Sequence, residues 1–314
     1  MSQRHWAQIG ERGTLLGMQL LVWIQRNLGR WPFQLVLWPV MLWYFISHGT
    51  ARRASCDYWR RLEPALAKQP LRLYWRSFRH FMSFGNTLMD KVEGWSKPVG
   101  DARLSGDGVT HFARAMQTGL GGVVLVAHHG NLDIANAMAE RHPTLDLLVL
   151  MHTRNAGKFN QLLEQVTGRP RPQILEVTEI TPATAQMLAE RIAAGGFVVI
   201  AADRPPVNGG RQRAVEFLGA PATFPEGPFW LAALLRCPLY TLSCMRIDER
   251  FHIEFSEFDD TRQLQRKARQ QWLAAAMQRY ADTLACWVRK QPLQWYNFFP
   301  FWLADTHESD EHPH

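Results

Sequence analysis

Cysteine is scarce. The chain has four in 314 residues: Cys56, Cys237, Cys244 and Cys286. They form no C-x-x-C pair and show no zinc spacing, so thiol redox chemistry and zinc fingers drop out. They read as small buried hydrophobes, which fits a reducing compartment. Acidic residues are in deficit, 28 against 35 Lys and Arg, giving a net charge of +7 and a pI near 9.5. That balance favours an anionic partner: nucleic acid, a membrane surface or an acidic protein. Nucleic-acid binding lacks any accompanying RRM, helix-turn-helix or finger signature. No Walker-type loop is present, because Gly209-Gly210 is not followed by Lys-Ser/Thr. A cleavable leader is not legible in the polar first 12 residues. No internal repeat is visible, and no uninterrupted apolar run reaches the roughly 20 residues of an ideal spanning helix.

Apolar residues make up 46% of the chain, which rules out a disordered polymer and is enough for a sizeable core. The N-terminal part is distinctive. Thr14 to Ile24 is a short apolar stretch, a polar break follows, and Trp31 to Ser47 is apolar apart from Gln34. Pro32 suits a helix start, whereas Pro39 would kink a helix. Trp6, Trp23, Trp31, Trp38, Trp43, Trp59 and Trp75 are more than half of the 13 tryptophans, and Trp favours the membrane–water boundary. A basic flank follows, with Arg52, Arg53, Arg60, Arg61, Lys68, Arg72, Arg76 and Arg79 against Asp57 and Glu63. Such a flank attracts anionic headgroups. The expectation is a retained apolar helical membrane segment over residues 1–50, spanning once with distortion or lying in the interface.

Beyond Gly121, strand and helix patterns alternate. Strands are predicted over 121–127, 145–151, 173–177, 196–201, 239–245 and 251–255. Helices are predicted over 159–166, from Thr181-Pro182 to about Ala194, over 226–236 and over 262–289. This alternation predicts an α/β fold, a mixed sheet covered by helices. The division expected is 1–50 as the membrane-associating segment, 51–306 as the main domain and 307–314 as a polar tail.

The first of those strands runs into His128-His129-Gly130-Asn131-Leu132-Asp133, and a helical pattern follows. A His and a carboxylate with four residues between them thus bracket a strand-to-helix turn, where α/β sheets bind ligands. Imidazole moves protons near neutral pH, and a carboxylate can orient it and stabilise its charged form. No Ser or Cys nucleophile sits in the turn; the pair could instead deprotonate a hydroxyl brought by the substrate. A capping or hydrogen-bonding pair is the plain structural alternative.

The segment from Ala127 to Asp133 resembles the His-x4-Asp/Glu block of the lysophospholipid acyltransferase superfamily. It is closest to the bacterial lipid A biosynthesis acyltransferase branch. Thr153-Arg154-Asn155, Ala202-Asp203-Arg204-Pro205, the stretch from Phe217 to Pro228, and Trp295-Tyr296-Asn297-Phe298-Phe299 resemble further blocks of that branch, in order. The resemblance implies a membrane-associated acyltransferase that moves a fatty acyl chain from an acyl thioester to a hydroxyl of a lipid or glycolipid. Acyl-carrier protein or acyl-CoA would be the donor. His128 would be the general base and Asp133 its orienting partner, with donors from the Gly130-Asn131 turn for the oxyanion. Arg154, Asp203 and Arg204 would bind substrate on the same rim. Glu226-Gly227 resembles a helix start, not a phosphate-binding block. No cofactor and no metal is implied. The expected location is the bacterial inner membrane, with the catalytic domain facing the cytoplasm. A basic rim around Arg262, Arg266, Lys267 and Arg269 would steer an acidic carrier.

Two other readings remain. A metal-dependent hydrolase would use His128, His129, His152, Asp133 or Asp203 as ligands, but neighbouring strand residues point to opposite faces. A non-catalytic membrane-bound scaffold would keep the fold without turnover.

Overall fold

The computed structural model describes residues 23–24, 27–96, 104–132, 145–151, 173–176, 181–204 and 210–303. Elements are numbered among these residues. A seven-stranded sheet has the order β1-β9-β8-β2-β5-β3-β4. Its strands are β1 (Leu104–Ser105), β2 (Gly122–Gly130), β3 (Leu147–Met151), β4 (Gln173–Glu176), β5 (Phe197–Ala201), β8 (Pro238–Ile247) and β9 (Arg250–Asp260). The strands β8, β2, β5, β3 and β4 run parallel to one another, while β9 is antiparallel to β8 and carries β1 parallel to itself. A separate hairpin pairs β6 (Gln212–Phe217) with β7 (Ala220–Pro225).

Alternating side chains of β2 fill two different cores. Val123, Leu125 and Ala127 point into the main core. That core is closed by α5 (Pro182–Ala193), α6 (Gly227–Leu235) and α7 (Arg269–Lys290). Val124 and Val126 point the other way, with Phe197, Tyr240 and Phe255. That face is covered by α4 (Gly108–Gln117), whose Phe112 meets Phe197 and Phe255 at 5.1 and 5.0 Å between ring centroids. A sheet buried on both faces needs continuous apolar strands, as β2 and β5 supply. Helix α7 buries Leu273, Met277, Tyr280, Leu284 and Val288, a helical-spacing stripe facing the sheet.

The helices before the sheet are α1 (Arg30–Ser47), α2 (Gly49–Leu62) and α3 (Pro70–Ser96). The apolar run of α1 is spent partly on protein: Phe33, Leu37 and Met41 pack with Phe78, Phe81 and Met82 of α3. Gly85 permits the approach, since a Cβ there would lie 2.9 Å from Leu37 Cδ1. The expected apolar membrane segment is therefore corrected: among the described residues, no helix is long and apolar enough to cross a membrane. Helix α1 has 18 residues, with Pro39 inside it. At 1.5 Å per residue it reaches about 27 Å, and one of its faces is already committed to α3.

The helix predicted over 226–236 is α6, and Thr181 caps α5 by accepting the Thr184 N–H at 3.2 Å. The helix predicted from Arg262 instead starts at Arg269. Thr261 holds the preceding turn, accepting from Cys237 N–H at 3.0 Å and donating to Ala232 O at 2.8 Å. Asp260 accepts the Arg262 N–H at 3.0 Å, a local bond that competes with helix formation. The β6–β7 hairpin was not predicted. Its turn, Leu218-Gly219, takes φ of +52° and +81°, a geometry usually flagged by Asn-Gly.

Candidate active site

The central parallel pair of strands builds the site. Val126 of β2 is paired with Ala201 of β5, so both chains leave the sheet at the same edge. Beyond Ala201, Ala202 N–H still bonds Val126 O at 2.9 Å, and the next residue is Asp203. Its carboxylate reaches across to the end of β2. Oδ1 meets His128 Nδ1 at 2.8 Å, and Oδ2 accepts the His128 backbone N–H at 2.8 Å and the Trp295 indole N–H at 3.1 Å. Asp203 is 1% exposed, whereas the His128 side chain is 35% exposed. A buried carboxylate thus holds a half-open imidazole by its inner nitrogen.

Burial pushes the Asp203 carboxyl up. The His128 imidazole, the hydrogen bonds it donates and the Arg204 charge outweigh that and hold the carboxyl below its usual range. Arg204 is half-buried, donates to Tyr296 O at 3.2 Å and lies over the Phe299 ring at 5.9 Å.

The strand end is locked by backbone geometry. Gly130 has φ of +73°, and a Cβ there would sit 2.1 Å from Cys244 O. Asn131 donates its backbone N–H to the same Cys244 O at 2.8 Å, so that N–H is not available to an oxyanion. Its side chain is buried, and neither Nδ2 nor Oδ1 has a hydrogen-bond partner among the described residues. A buried amide left in that state costs free energy that a ligand can recover.

His129 points to the opposite face. It bonds Gln291 O through Nε2 at 3.1 Å and stacks on Trp287. Burial pushes its imidazole down to about 4, against the pull of the Gln291 carbonyl. Among the described residues, no group of three or more His, Cys, Asp or Glu side chains converges as a metal site would require. Asp133 and Arg154 lie outside the described residues. Glu226 sits at the start of α6, where Arg213 at 3.0 Å and the Trp230 indole at 3.2 Å engage its carboxylate. Arg262 of the basic rim is paired with Asp260 at 2.7 Å.

The structure thus brings His128, Gly130, Asn131, Asp203 and Arg204 to one edge. The Trp295–Phe299 block, marked in the sequence by resemblance but given no role there, supplies the Trp295 indole to Asp203 and the Tyr296 N–H to His128 O at 2.8 Å. A Trp followed by a Tyr after a long helix carries no signal of its own for such a contact.

A histidine held by a buried carboxylate at the carboxyl edge of a parallel sheet is an arrangement that can move a proton to and from a ligand. Residues 69–304, three quarters of the chain, match the family described as bacterial lipid A biosynthesis acyltransferase, and the chain belongs to that family. It is an acyltransferase. It is similar to a phosphatidylinositol mannoside acyltransferase of Mycobacterium tuberculosis, 25% identical over 282 residues that cover 85% of this chain and 81% of the relative. A protein of the same description from Mycolicibacterium smegmatis is 24% identical over 203 residues, 65% of this chain and 63% of the relative.

Proposed function

We propose that the protein transfers a fatty acyl chain from an acyl thioester, carried by acyl-carrier protein or CoA, to a hydroxyl of a lipid or glycolipid acceptor. The supporting observation is the His128–Asp203 contact of 2.8 Å at the sheet edge. His128 is the general base. Its Nε2 takes the acceptor hydroxyl's proton as the oxygen attacks the thioester carbonyl. Asp203 fixes the proton on Nδ1 and stabilises the imidazolium, and Arg204 offsets the carboxylate charge from behind. The C–S bond then breaks, and the leaving thiolate takes the proton back from the imidazolium. No acyl-enzyme is needed. The Asn131 amide, buried without a partner among the described residues, supplies a donor for the oxyanion. Asp133 follows the same turn as a second carboxylate, and Arg154 is assigned to substrate binding on the family resemblance alone.

Membrane attachment in this reading is peripheral. Trp31, Leu35, Trp38, Leu42, Trp43 and Ile46 of α1 are exposed, as are Leu71, Tyr74 and Trp75 of α3. Trp38 and Trp75 stand 6.3 Å apart, so the two exposed rows are continuous. Solvent-facing Trp and Leu beside exposed Arg53, Arg60, Lys68, Arg72 and Arg79 suit an anionic lipid surface. The cytoplasmic face of a bacterial inner membrane offers that surface together with acyl-carrier protein.

The test uses the full chain in detergent with palmitoyl-carrier protein or palmitoyl-CoA and a bacterial membrane lipid extract. Mass spectrometry should find an acceptor lipid heavier by one palmitoyl group, and His128→Ala should lower the rate on the order of 100- to 10,000-fold while the chain stays folded. Near-normal turnover by folded His128→Ala would remove the base assignment. A palmitoylated small-molecule product with no lipid product would remove the acceptor assignment.

A further inference from the structure

Asp203 has two oxygens and three donors, and the third donor comes from far along the chain. The Trp295 indole lies 92 residues away and is fully buried. It is gripped on several sides: the rings of Tyr58, Phe217 and Phe301 stand 5.4, 5.3 and 5.1 Å from it. Its backbone carbonyl accepts from His80 Nε2 at 2.8 Å. His80 is in turn set by Ser55 Oγ on Nδ1 at 3.0 Å, and Ser55 accepts from Ser77 at 2.9 Å. The serine pair orients His80 so that Nε2 carries the proton, which makes the carbonyl contact a true hydrogen bond. The residue after Trp295 donates its N–H to His128 O. One short segment therefore touches both members of the acid–base pair.

We infer that Trp295 is a positioning residue for the acid–base pair: its indole N–H holds Asp203 Oδ2 and so fixes Oδ1 on His128 Nδ1. Without it, the carboxylate can rotate about its last bond, and one oxygen loses half of its donors. The inference rests on the reading of His128 as base, but its first test does not use turnover. Among the described residues, the charged or titratable groups around the pair are Arg204 beside Asp203, His129 on β2, Tyr280 from α7 and His80 behind Trp295. Tyr280 donates to Val126 O at 2.7 Å. None of the last three carries charge near neutral pH, since burial pushes His80 and His129 down to about 4 and Tyr280 well up.

The test is an NMR titration of the His128 ring nitrogens in the full chain, with Trp295→Phe compared to the parent. Losing the indole donor concentrates charge on the carboxylate, which then stabilises the imidazolium more strongly. The His128 midpoint should rise by about half a pH unit, part of the effect of one charge-assisted hydrogen bond. Trp272→Phe is the control. Its indole also donates to a carboxylate, Asp259 at 3.0 Å, but does so outside the site, and it should leave the midpoint unchanged. If Trp295→Phe does not fold, benzothienylalanine at position 295 keeps the ring shape and lacks the N–H, and the same rise is expected. A parent-like midpoint in either folded variant, or an equal rise in Trp272→Phe, overturns the inference. Thiol release from palmitoyl-CoA and from palmitoyl-carrier protein, each in the presence of lipid extract, separates the two readings. The kcat of Trp295→Phe should fall roughly three- to tenfold with KM unchanged. A shifted titration in a protein whose parent form releases no thiol would sink the acyltransfer reading and leave the positioning role standing.

Discussion

Replacing Asp203 by Asn tests which carboxylate serves His128. The substitution is nearly isosteric, so the cavity survives, but the amide has only one acceptor oxygen for three donors. The His128 backbone N–H and the Trp295 indole both meet Oδ2, at 2.8 and 3.1 Å. The amide oxygen must take that position, because an NH2 there would face two N–H groups. The NH2 then faces His128 Nδ1 and donates to it. Nδ1 becomes the acceptor, and the proton moves to Nε2, the atom that has to receive the substrate's proton. The dyad is left in the wrong tautomer, and the imidazolium loses its counter-charge.

The loss of general-base action is worth on the order of 1,000- to 10,000-fold in kcat for a tautomer-inverted histidine. The fold should hold, since two of the three hydrogen bonds persist unchanged, the third persists with its direction reversed, and the desolvation of a buried charge is relieved. The assay is single-turnover acyl transfer from palmitoyl-CoA beside a thermal melt, with Asp133→Asn run in parallel. The His128 ring-nitrogen shifts report the tautomer directly. If Asp203→Asn keeps more than a tenth of parental kcat while Asp133→Asn loses three orders of magnitude, the orienting role belongs to Asp133 and the reasoning here is wrong.

Acid should weaken the fold through its two buried histidines. The His80 and His129 imidazoles are pushed down to about 4 in the folded chain against 6.5 when unfolded. The unfolded state therefore binds more protons between those values, and stability is lost as pH falls from about 6.5 toward 4, by about 2 kcal/mol per histidine at pH 5. His129→Phe removes one of these sites, so urea unfolding at pH 7 and pH 5 should show a smaller difference than in the parent; an identical difference would refute the assignment. Peripheral attachment predicts that Trp43→Ser with Leu71→Ser lowers co-flotation with phosphatidylglycerol vesicles about tenfold or more, since each side chain gives up burial worth roughly 1.5–3 kcal/mol. Unchanged flotation, with an unchanged melt, would place the lipid contact elsewhere.

The sheet was legible because its strands are buried on both faces. Gly122–Gly130 and Phe197–Ala201 are apolar runs bounded by glycines and polar turns, and no other element could bury them so completely. The hairpin at Leu218-Gly219 was not legible, because its turn uses a leucine at positive φ where sequence signals expect Asn or Asp. The N-terminal helices misled for a different reason. Hydropathy counts apolar residues without saying which face meets protein, and α1 divides its apolar residues between Phe33, Leu37 and Met41 inside and a Trp-rich row outside.

The site shows the same limit in sharper form. His128 and Asp203 each stand out as polar residues ending an apolar strand, and both were assigned to one rim. Their direct contact depends on β2 and β5 being neighbours although β3 and β4 lie between them in sequence. A single sequence carries strand positions but not strand order, so it gives the orienting role to Asp133 and leaves the Asp203 contact with His128 unseen; Asp133 itself lies outside the described residues. Trp295 was hidden further, since its contact needs the whole of α7 to cross the sheet and return the chain to the edge where β2 ends. Local chemistry therefore reveals which residues are available to a site, and the crossover connections decide which of them meet. In this fold the pairing of His128 with Asp203 joins the ends of the two central parallel strands, where a carboxylate is buried behind a half-exposed histidine.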